Sequence, residues 1–253
     1  MPSPDRHLTV GMPVVTLASD PTSNQLLAAL PTAEMARWRD QLEFVELPLG
    51  QVLHEIGNAD SHVYFPTTAI VSLVDLTVDG DSVGIAMVGN EGMVGVCVFM
   101  GGDTTPTQAV VQSAGAGFRL NSEVIKAEFE HSTPVVHLLL RYTQALITQL
   151  GQTALCNRYH MIDQQLCRWL LMSLDRLPGR ELTLTQELAA HMLGVRREGV
   201  TEAAQKLQRE GLISYSRGHV TVLDRPGLER RACECYAVVQ AEYVRLLPQC
   251  TAT

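Results

Sequence analysis

The side chains best suited to recognition chemistry stand together near residue 200. Arg197 and Glu198 are neighbours at the start of a predicted helix. The planar guanidinium of an arginine can bond both acceptors of guanine, and a glutamate can accept a bond from the amino group of cytosine. On an isolated helix such a pair is an ordinary solvated face, so the surrounding elements decide between the two interpretations. The predicted base-contacting set is Arg197, Glu198, Thr201, Glu202 and Gln205.

The elements around this pair have a helix-turn-helix pattern. A short amphipathic helix over residues 185–192 is followed by a tight turn, in which Gly194 suits a left-handed backbone. A second helix is predicted over 196–209, and two short strands within 211–223 form a β-hairpin, or wing. In this context base contact is the favoured interpretation of the Arg-Glu pair. The residues predicted to contact phosphates are Thr185, Arg196, Arg209 and Arg217.

A long helical pattern precedes this region. From Ser122 to about Leu177 apolar residues recur with a helical period, and Pro134 fits the first turn of a helix. One apolar stripe repeats every seven residues with few charges, as in helices that pair with a second copy. The alternative is packing against the same chain, but the helix is longer than a small β-domain, which favours pairing. The predicted dimer stripe is Val136, Leu139, Leu140, Thr143, Leu146, Ile147, Leu150 and Ala154.

The front of the chain has the pattern of a small β-domain. A short helix is predicted over residues 23–40, and glycine-punctuated β-like runs continue to about residue 120. Asp79 and Gly80 separate two alternating runs, which is a strong hairpin signal. Short strands at near-regular spacing predict an antiparallel β-barrel or jelly roll, so the fold class is α+β. The predicted strands span residues 52–56, 63–65, 70–78, 83–88, 94–99 and 109–111.

Composition limits the class of protein. The chain has 253 residues, of which 46% are hydrophobic and 18% charged, as in a globular protein with a sizeable core. No apolar run is long enough to cross a bilayer, and six scattered cysteines indicate reduced thiols. We therefore expect a cytoplasmic protein without membrane contact. The net charge is −8, but residues 1–132 hold 5 basic against 16 acidic side chains, so only the back of the chain suits a polyanion.

Together these motifs resemble the transcription regulators of the cyclic-AMP receptor protein and FNR (Crp/Fnr) family. The resemblance is carried by the glycine-punctuated barrel, the long helix and residues 182–223, where Arg197 and Glu198 match the family's recognition pair. It implies a homodimer on a palindromic site in double-stranded DNA, with RNA polymerase as a further partner. Glu202 departs from the arginine or serine that many members have there. The implied domains are a mobile arm (1–22), a cyclic-nucleotide-binding-like sensor domain (23–130), a dimerisation helix and hinge (131–177) and a winged helix-turn-helix domain with a C-terminal helix (178–253).

The resemblance does not identify an effector. Residues 94–99 and 104–109 stand where the family has a ribose-binding carboxylate and a phosphate-binding arginine, and both are missing. A buried phosphate without a cation is costly, so we expect neither cyclic AMP nor another cofactor. Because no cysteine precedes Cys97, an FNR-type iron–sulfur cluster is not expected either. If the domain senses a small molecule rather than serving only as a scaffold, the predicted pocket is Val94, Gly95, Val96, Cys97, Thr107 and Gln108.

Two alternatives to an effector-modulated DNA-binding regulator stay open. The winged domain of a regulatory module would instead dock a protein, which the acidic Glu198 and Glu202 allow. A haem-based gas or redox sensor would take its iron ligands from the set His54, His62, Cys97, His131, His137 and His160.

An enzyme is not expected, because the sequence lacks a nucleophile elbow, a P-loop, a dinucleotide fingerprint and a metalloprotease motif. Cys233 and Cys235 are predicted as structural thiols of a final helix over residues 226–247. No metal site is expected there, because side chains two residues apart on a helix diverge.

Overall fold

The computed structural model describes residues 20–177 and 179–247. The mobile arm predicted over residues 1–22 lies outside the described residues up to position 19. Its last residues enter a 3₁₀ turn, Pro21–Ser23, which is capped by the side chain of Asp20. The turn is the first regular element of the described chain.

Two short helices follow in place of the single helix predicted over residues 23–40. They are α1 (Gln25–Ala28) and α2 (Thr32–Arg39). Pro31 stands at the N-cap of α2 in an extended conformation. A proline has no backbone N–H and disfavours helix in the residue before it, so the first helix ends and a second begins.

Two antiparallel sheets form the jelly-roll domain (residues 43–121). The strands are β1 (Glu43–Leu47), β2 (Val52–His54), β3 (His62–Pro66), β4 (Ile70–Leu76), β5 (Ser82–Val88), β6 (Gln108–Ser113) and β7 (Gly115–Asn121). The strand orders are β1-β7-β3 and β2-β6-β4-β5, and apolar side chains such as Leu47 and Val111 meet between the sheets. The hairpin at Asp79 and Gly80 is confirmed by the antiparallel pairing of β4 with β5. The jelly roll is confirmed too, but the described strands form a two-sheet sandwich and do not close into a barrel.

Residues 94–99 do not form the predicted strand. Val94 makes a single bridge to Tyr64, and the chain then turns into the short helix α3 (Cys97–Met100). The turn passes through Gly95, whose φ of +104° favours glycine. A Cβ on Gly95 would lie 2.9 Å from the ring of His54. The strand therefore ends at a close approach between distant parts of the chain.

The helical region predicted from residue 122 to residue 177 is divided into three helices, and the long helix predicted to begin near Pro134 is the second of them. They are α4 (Ser122–His131), α5 (Thr133–Tyr159) and α6 (Ile162–Leu174). Pro134 stands in the first turn of α5, as predicted. One face of α5 packs on the jelly roll, where the Tyr142 hydroxyl donates to the Met93 carbonyl at 2.7 Å. None of the described helices has the length and apolar character that a bilayer crossing requires.

The predicted dimer stripe divides between two faces of α5. Leu139, Thr143 and Leu146 are buried within the chain itself, so these three are corrected to core positions that no second copy can reach. Seven-residue spacing alone does not separate two neighbouring faces of one helix. The other members are exposed (Leu140, Ile147 and Ala154) or half-buried (Val136 and Leu150).

The winged domain (residues 181–222) follows. Its elements are β8 (Glu181–Thr183), α7 (Gln186–Leu193), α8 (Arg197–Arg209), β9 (Ile213–Ser216) and β10 (His219–Val222). The predicted helix-turn-helix and wing are both present, and β8 extends the wing to a sheet of order β8-β10-β9. One continuous core joins this domain to α6 and reaches Ile70 and Met87 of the jelly roll. The two domains are therefore packed together rather than linked only by chain.

The final helix predicted over residues 226–247 is two helices, α9 (Arg225–Arg231) and α10 (Glu234–Leu246). Ala232 and Cys233 between them are both extended. Cys233 and Cys235 therefore do not share one helix, and the argument that their side chains diverge is wrong. Both lie buried beside Cys156 of α5.

Candidate nucleic-acid interface

The first helix of the helix-turn-helix starts at a threonine cap. Thr185 is the cap, since its hydroxyl oxygen accepts from the backbone N–H of Leu188 at 3.0 Å. The positive end of the α7 dipole then lies beside an exposed hydroxyl. This arrangement suits an anion at Thr185.

Gly194 forms the turn between the helices, with φ +62° and ψ +36°. Its backbone N–H bonds the carbonyls of α7 and ends that helix. A Cβ at this position would lie 2.9 Å from Cγ2 of Val83 on β5. The predicted role of Gly194 in a left-handed turn is confirmed, and the close contact with the jelly roll adds a second reason for glycine.

Helix α8 presents a charged face on an apolar base. Its base is buried and consists of Val200, Ala203, Ala204 and Leu207. Arg197 and Glu198 lie exposed in its first turn, and Arg196 is its N-cap residue. Thr201 is half-buried, with its hydroxyl 3.0 Å from Oε1 of Gln186 on α7 and 2.9 Å from the Arg197 carbonyl. Its single hydrogen is therefore already engaged within the chain, and Thr201 helps to align α7 with α8.

An open groove of about 390 Å³ separates α8 from the wing. It brings together Arg197, predicted to contact bases, with Thr185 and Arg217, predicted to contact phosphates. Arg217 stands at the wing tip with φ +50°. The lining is completed by Gln186, Tyr215 and Gly218, which were not predicted.

Tyr215 forms part of the wall of the groove. Its hydroxyl donates to the Leu184 carbonyl at 2.9 Å, which ties β9 to the segment before α7. Burial raises the pKa of Tyr215, and the neighbouring Arg197 guanidinium acts in the opposite direction. The phenol is therefore neutral and donates at physiological pH. An aromatic residue on a predicted wing strand was the only sequence signal for this role.

The remaining predicted contacts lie on the other side of α8. Glu202, Gln205 and Arg209 line a second hollow of about 590 Å³, which faces the start of α6. The residues predicted to contact DNA are therefore divided between two sides of α8. Arg197 lines the groove beside the wing, and Glu202, Gln205 and Arg209 line the hollow beside α6. Both sides are open to solvent.

Asp163 at the start of α6 holds α8 in place. Its carboxylate bonds Lys206 of α8 at 2.7 Å and also Arg231 of α9. Burial opposes ionisation of this carboxyl, but the two cations outweigh burial and lower its pKa. The charged side chain that anchors the helix is therefore Lys206, which sequence analysis did not single out.

The predicted effector pocket corresponds to a cavity of about 140 Å³ in the jelly roll. Val94, Gly95, Val96, Cys97 and Thr107 line it, together with Leu146 and Leu150 of α5. Gln108 is corrected to a position outside the lining, because its amide is directed to Glu55 at 2.9 Å. The described lining residues include no lysine or arginine, so the cavity offers no cation to a phosphate.

The polar groups of this cavity are already paired. His54 contacts Asp60 through Nδ1 at 2.9 Å and the His62 carbonyl through Nε2 at 2.9 Å. The Cys97 thiol donates to Asp60 at 3.3 Å. Burial is the main reason that the pKa of this thiol is raised to about 12, and the bond to Asp60 acts in the same direction. Burial lowers the pKa of His54, which Asp60 opposes. Neither side chain is free for a haem iron, and the volume is below the roughly 300–1,000 Å³ of ordinary ligand pockets.

Comparison with known proteins agrees with this architecture. Residues 164–231 match the Crp-like helix-turn-helix domain. No curated protein sequence matches the chain.

Several solved structures share the fold. FixK2 from Bradyrhizobium japonicum is 15% identical over 76% of this chain and 98% of that chain, with a TM-score of 0.64. A CRP-family transcriptional regulator from Thermus thermophilus is 20% identical over 74% and 96%, with a TM-score of 0.62. The c-di-GMP responsive global regulator CLP from Xanthomonas campestris is 16% identical over 77% and 100%, also with a TM-score of 0.62. At these identities the likeness shows the fold.

Proposed function

We propose that this chain, which contains a Crp-like helix-turn-helix domain at residues 164–231, is a regulator of the Crp/Fnr type that binds a palindromic DNA operator as a homodimer. The observation that carries the proposal is the groove in which Arg197, Thr185 and Arg217 meet. With α8 in the major groove, Arg197 and Glu198 reach base edges, and the other two residues contact flanking phosphates.

The two ends of α8 extend this interface. Arg196 and Arg209 stand at opposite ends of a helix about 20 Å long, so they contact phosphates on either side of the groove. Glu202 and Gln205 lie on the same exposed side as Arg209. Gln205 is the adenine-reading candidate, and the anionic Glu202 restricts where a phosphate is tolerated.

Selection of genomic fragments at near-physiological salt tests the proposal. The parent protein is expected to enrich a two-fold symmetric motif. Arg197→Ala is expected to weaken the specific site by about 1–3 kcal/mol and to relax the sequence at one base position in each half-site. Arg230→Ala is the matched control, because Arg230 is an exposed arginine on α9 that is not among the residues lining the groove. Equal loss on all DNA sequences would exclude base contact by Arg197, and absence of a symmetric motif would exclude the dimeric operator.

The proposed dimer forms through the exposed stripe of α5. Leu140 and Ile147 are 49% and 58% exposed and, two helical turns apart, lie on the same side of α5. Gly151 and Ala154 continue the stripe, and a Cβ on Gly151 would meet nothing within 4 Å. The large residues can pack in a seam and the small residues beyond them allow two helices to approach closely, so a second copy of α5 fits this surface.

Sedimentation of the full chain tests this interface. Ile147→Glu places a charge in the proposed seam and is expected to yield monomer at concentrations where the parent is dimeric. Val78→Glu makes the same apolar-to-acidic change at a fully exposed hairpin position and is expected to leave the dimer intact. A dimeric Ile147→Glu protein would refute the α5 interface.

The jelly-roll cavity is the proposed effector site. Its walls include Leu146 and Leu150 of α5, so an occupant contacts the helix that joins the two copies. An effector shifts DNA binding only if it binds one arrangement of the dimer more tightly than the other. The apolar lining and small volume suit a compact apolar molecule rather than a nucleotide.

A further inference from the structure

Four metal-ligating side chains meet where the end of α5 touches the start of α10. They are Cys156, His160, Cys233 and Cys235, and one ligand atom from each lies within 4.8 Å of all the others. The sulfurs of Cys156 and Cys233 are 3.5 Å apart, well beyond the roughly 2 Å of a disulfide bond. The Cys235 sulfur lies 3.6 Å from Nδ1 of His160. The cluster is therefore three free thiols grouped around one imidazole nitrogen.

These spacings match the edges of a tetrahedral metal site. Zinc bonds thiolate sulfur at about 2.3 Å and imidazole nitrogen at about 2.0–2.1 Å, so ligand atoms at tetrahedral angles lie about 3.8 Å (sulfur–sulfur) and about 3.6 Å (sulfur–nitrogen) apart. The Cys156–Cys233 separation of 3.5 Å and the Cys235–His160 separation of 3.6 Å agree with these edges. Three cysteines with one histidine are also a common ligand set of structural zinc.

The surroundings of His160 favour metal ligation. Its Nε2 is 3.3 Å from the Glu234 carboxylate, so the ring hydrogen belongs on Nε2 and the lone pair of Nδ1 faces the sulfurs. A carboxylate behind a ligating histidine is the usual outer partner of a zinc ligand. The Gln165 amide bonds the His160 carbonyl at 2.9 Å and holds the end of α5. A purely apolar cysteine core would require neither the imidazole nor its carboxylate.

A buried arginine nearby has no carboxylate partner among the residues that the structure describes. Arg168 is 7% exposed and donates through Nη2 to the Thr153 hydroxyl at 2.6 Å. Its Nε has no hydrogen-bond partner among the described residues. Thr153 lies one helical turn before Cys156 on α5, so the guanidinium lies next to the cluster. Three thiolates and one divalent cation carry one net negative charge, which would balance Arg168.

We propose that Cys156, His160, Cys233 and Cys235 hold one structural zinc ion. The four ligands flank the helix-turn-helix match at residues 164–231, two on each side. The metal would therefore fasten both ends of that domain to the end of α5. This proposal is independent of DNA binding, because none of the ligands lines the groove at Arg197.

Metal analysis of the full chain is the first test. Protein purified without a chelator is expected to carry one zinc per chain by elemental mass spectrometry. After removal of zinc, added cobalt(II) is expected to give thiolate charge-transfer bands and the intense visible bands of a tetrahedral site. This spectrum is read from the unmodified protein, so it stays informative if a variant fails to fold. An octahedral cobalt spectrum without charge-transfer bands would overturn the ligand set.

Variants assign the ligands. Cys235→Ser and His160→Ala are each expected to reduce zinc content to less than one tenth of the parent value. Cys167→Ser is the matched control, because Cys167 is an equally buried thiol outside the cluster, and it should retain one zinc per chain. Zinc retained by both ligand variants would overturn the site. The site would also be overturned in favour of a redox pair if the parent, purified without a chelator, contained no metal and formed a Cys156–Cys233 disulfide in air, identified by peptide mapping.

Discussion

Replacing Arg176 with methionine removes a charge from the contact between the jelly roll and α6. The Arg176 guanidinium bonds the Glu91 carboxylate at 2.7 Å, and their side chains are only 7% and 11% exposed. Glu91 also accepts from the backbone N–H of Gly89 at 3.1 Å. A methionine keeps the aliphatic stem that lies close against Gly89 and removes the guanidinium, which also donates to the Met172 carbonyl at 2.7 Å. The substitution therefore removes the charge and its hydrogen bonds with little change in packing.

The expected cost follows from leaving Glu91 buried without its partner. Breaking a buried ion pair on one side costs about 3–5 kcal/mol of unfolding free energy, because an uncompensated charge stays in the interior. The double variant Arg176→Met/Glu91→Gln removes both charges and keeps an acceptor for Gly89. Its free energy of unfolding is expected to lie within about 1–2 kcal/mol of the parent value.

Equilibrium urea unfolding of the parent, both single variants and the double variant, at one protein concentration, measures this coupling. Arg230→Met serves as the exposed-arginine control and should leave the midpoint unchanged. A loss below about 1 kcal/mol for Arg176→Met would refute the reasoning. So would a double variant as unstable as the sum of the two singles.

Two further predictions concern α7 and α8. Asp163→Asn should lower stability at neutral pH. The folded-state pKa of Asp163 lies below its ordinary 3.8. The difference in unfolding free energy between the parent and the variant should therefore be largest above pH 3.8 and should disappear as the pH falls through the folded-state pKa. Unfolding followed by circular dichroism at several pH values measures this difference. Gly194→Ala should cost about 1–2 kcal/mol for the left-handed backbone and more for its contact with Val83. Gly57→Ala is the control, because Gly57 has φ +76° and an added Cβ there would meet nothing, so this variant measures the backbone cost alone. Equal urea midpoints for the two variants would contradict an added cost from the Val83 contact.

The winged domain was predictable because its signals are local. A threonine cap, a glycine turn and two short strands within forty residues specify helix, turn, helix and wing without reference to the rest of the chain. The same holds for the hairpin at Asp79 and Gly80. Strands β1 and β7 were missed, because their pairing joins Glu43 to Arg119 across most of the jelly roll.

Features that depend on distant contacts were not predictable. Heptad spacing found the apolar residues of α5, but which of them the jelly roll covers is set by contacts such as that between Tyr142 and Met93. No proline or glycine marks the break at Cys233 in the sequence. Cys156 is separated from Cys233 by 77 positions, so only the folded chain brings the two sulfurs together.

Leu150 and Gly151 are consecutive residues of α5, yet they belong to two different surfaces. The first lines the cavity of the jelly roll and the second lies on the open stripe. A molecule that widens the cavity by pushing on α5 would displace the helix toward its exposed stripe, and the displacement would reach the stripe without passing through a hinge. In the proposed two-fold dimer the two helices would then be pushed toward each other, so the seam between them would be compressed by twice the movement made in one cavity.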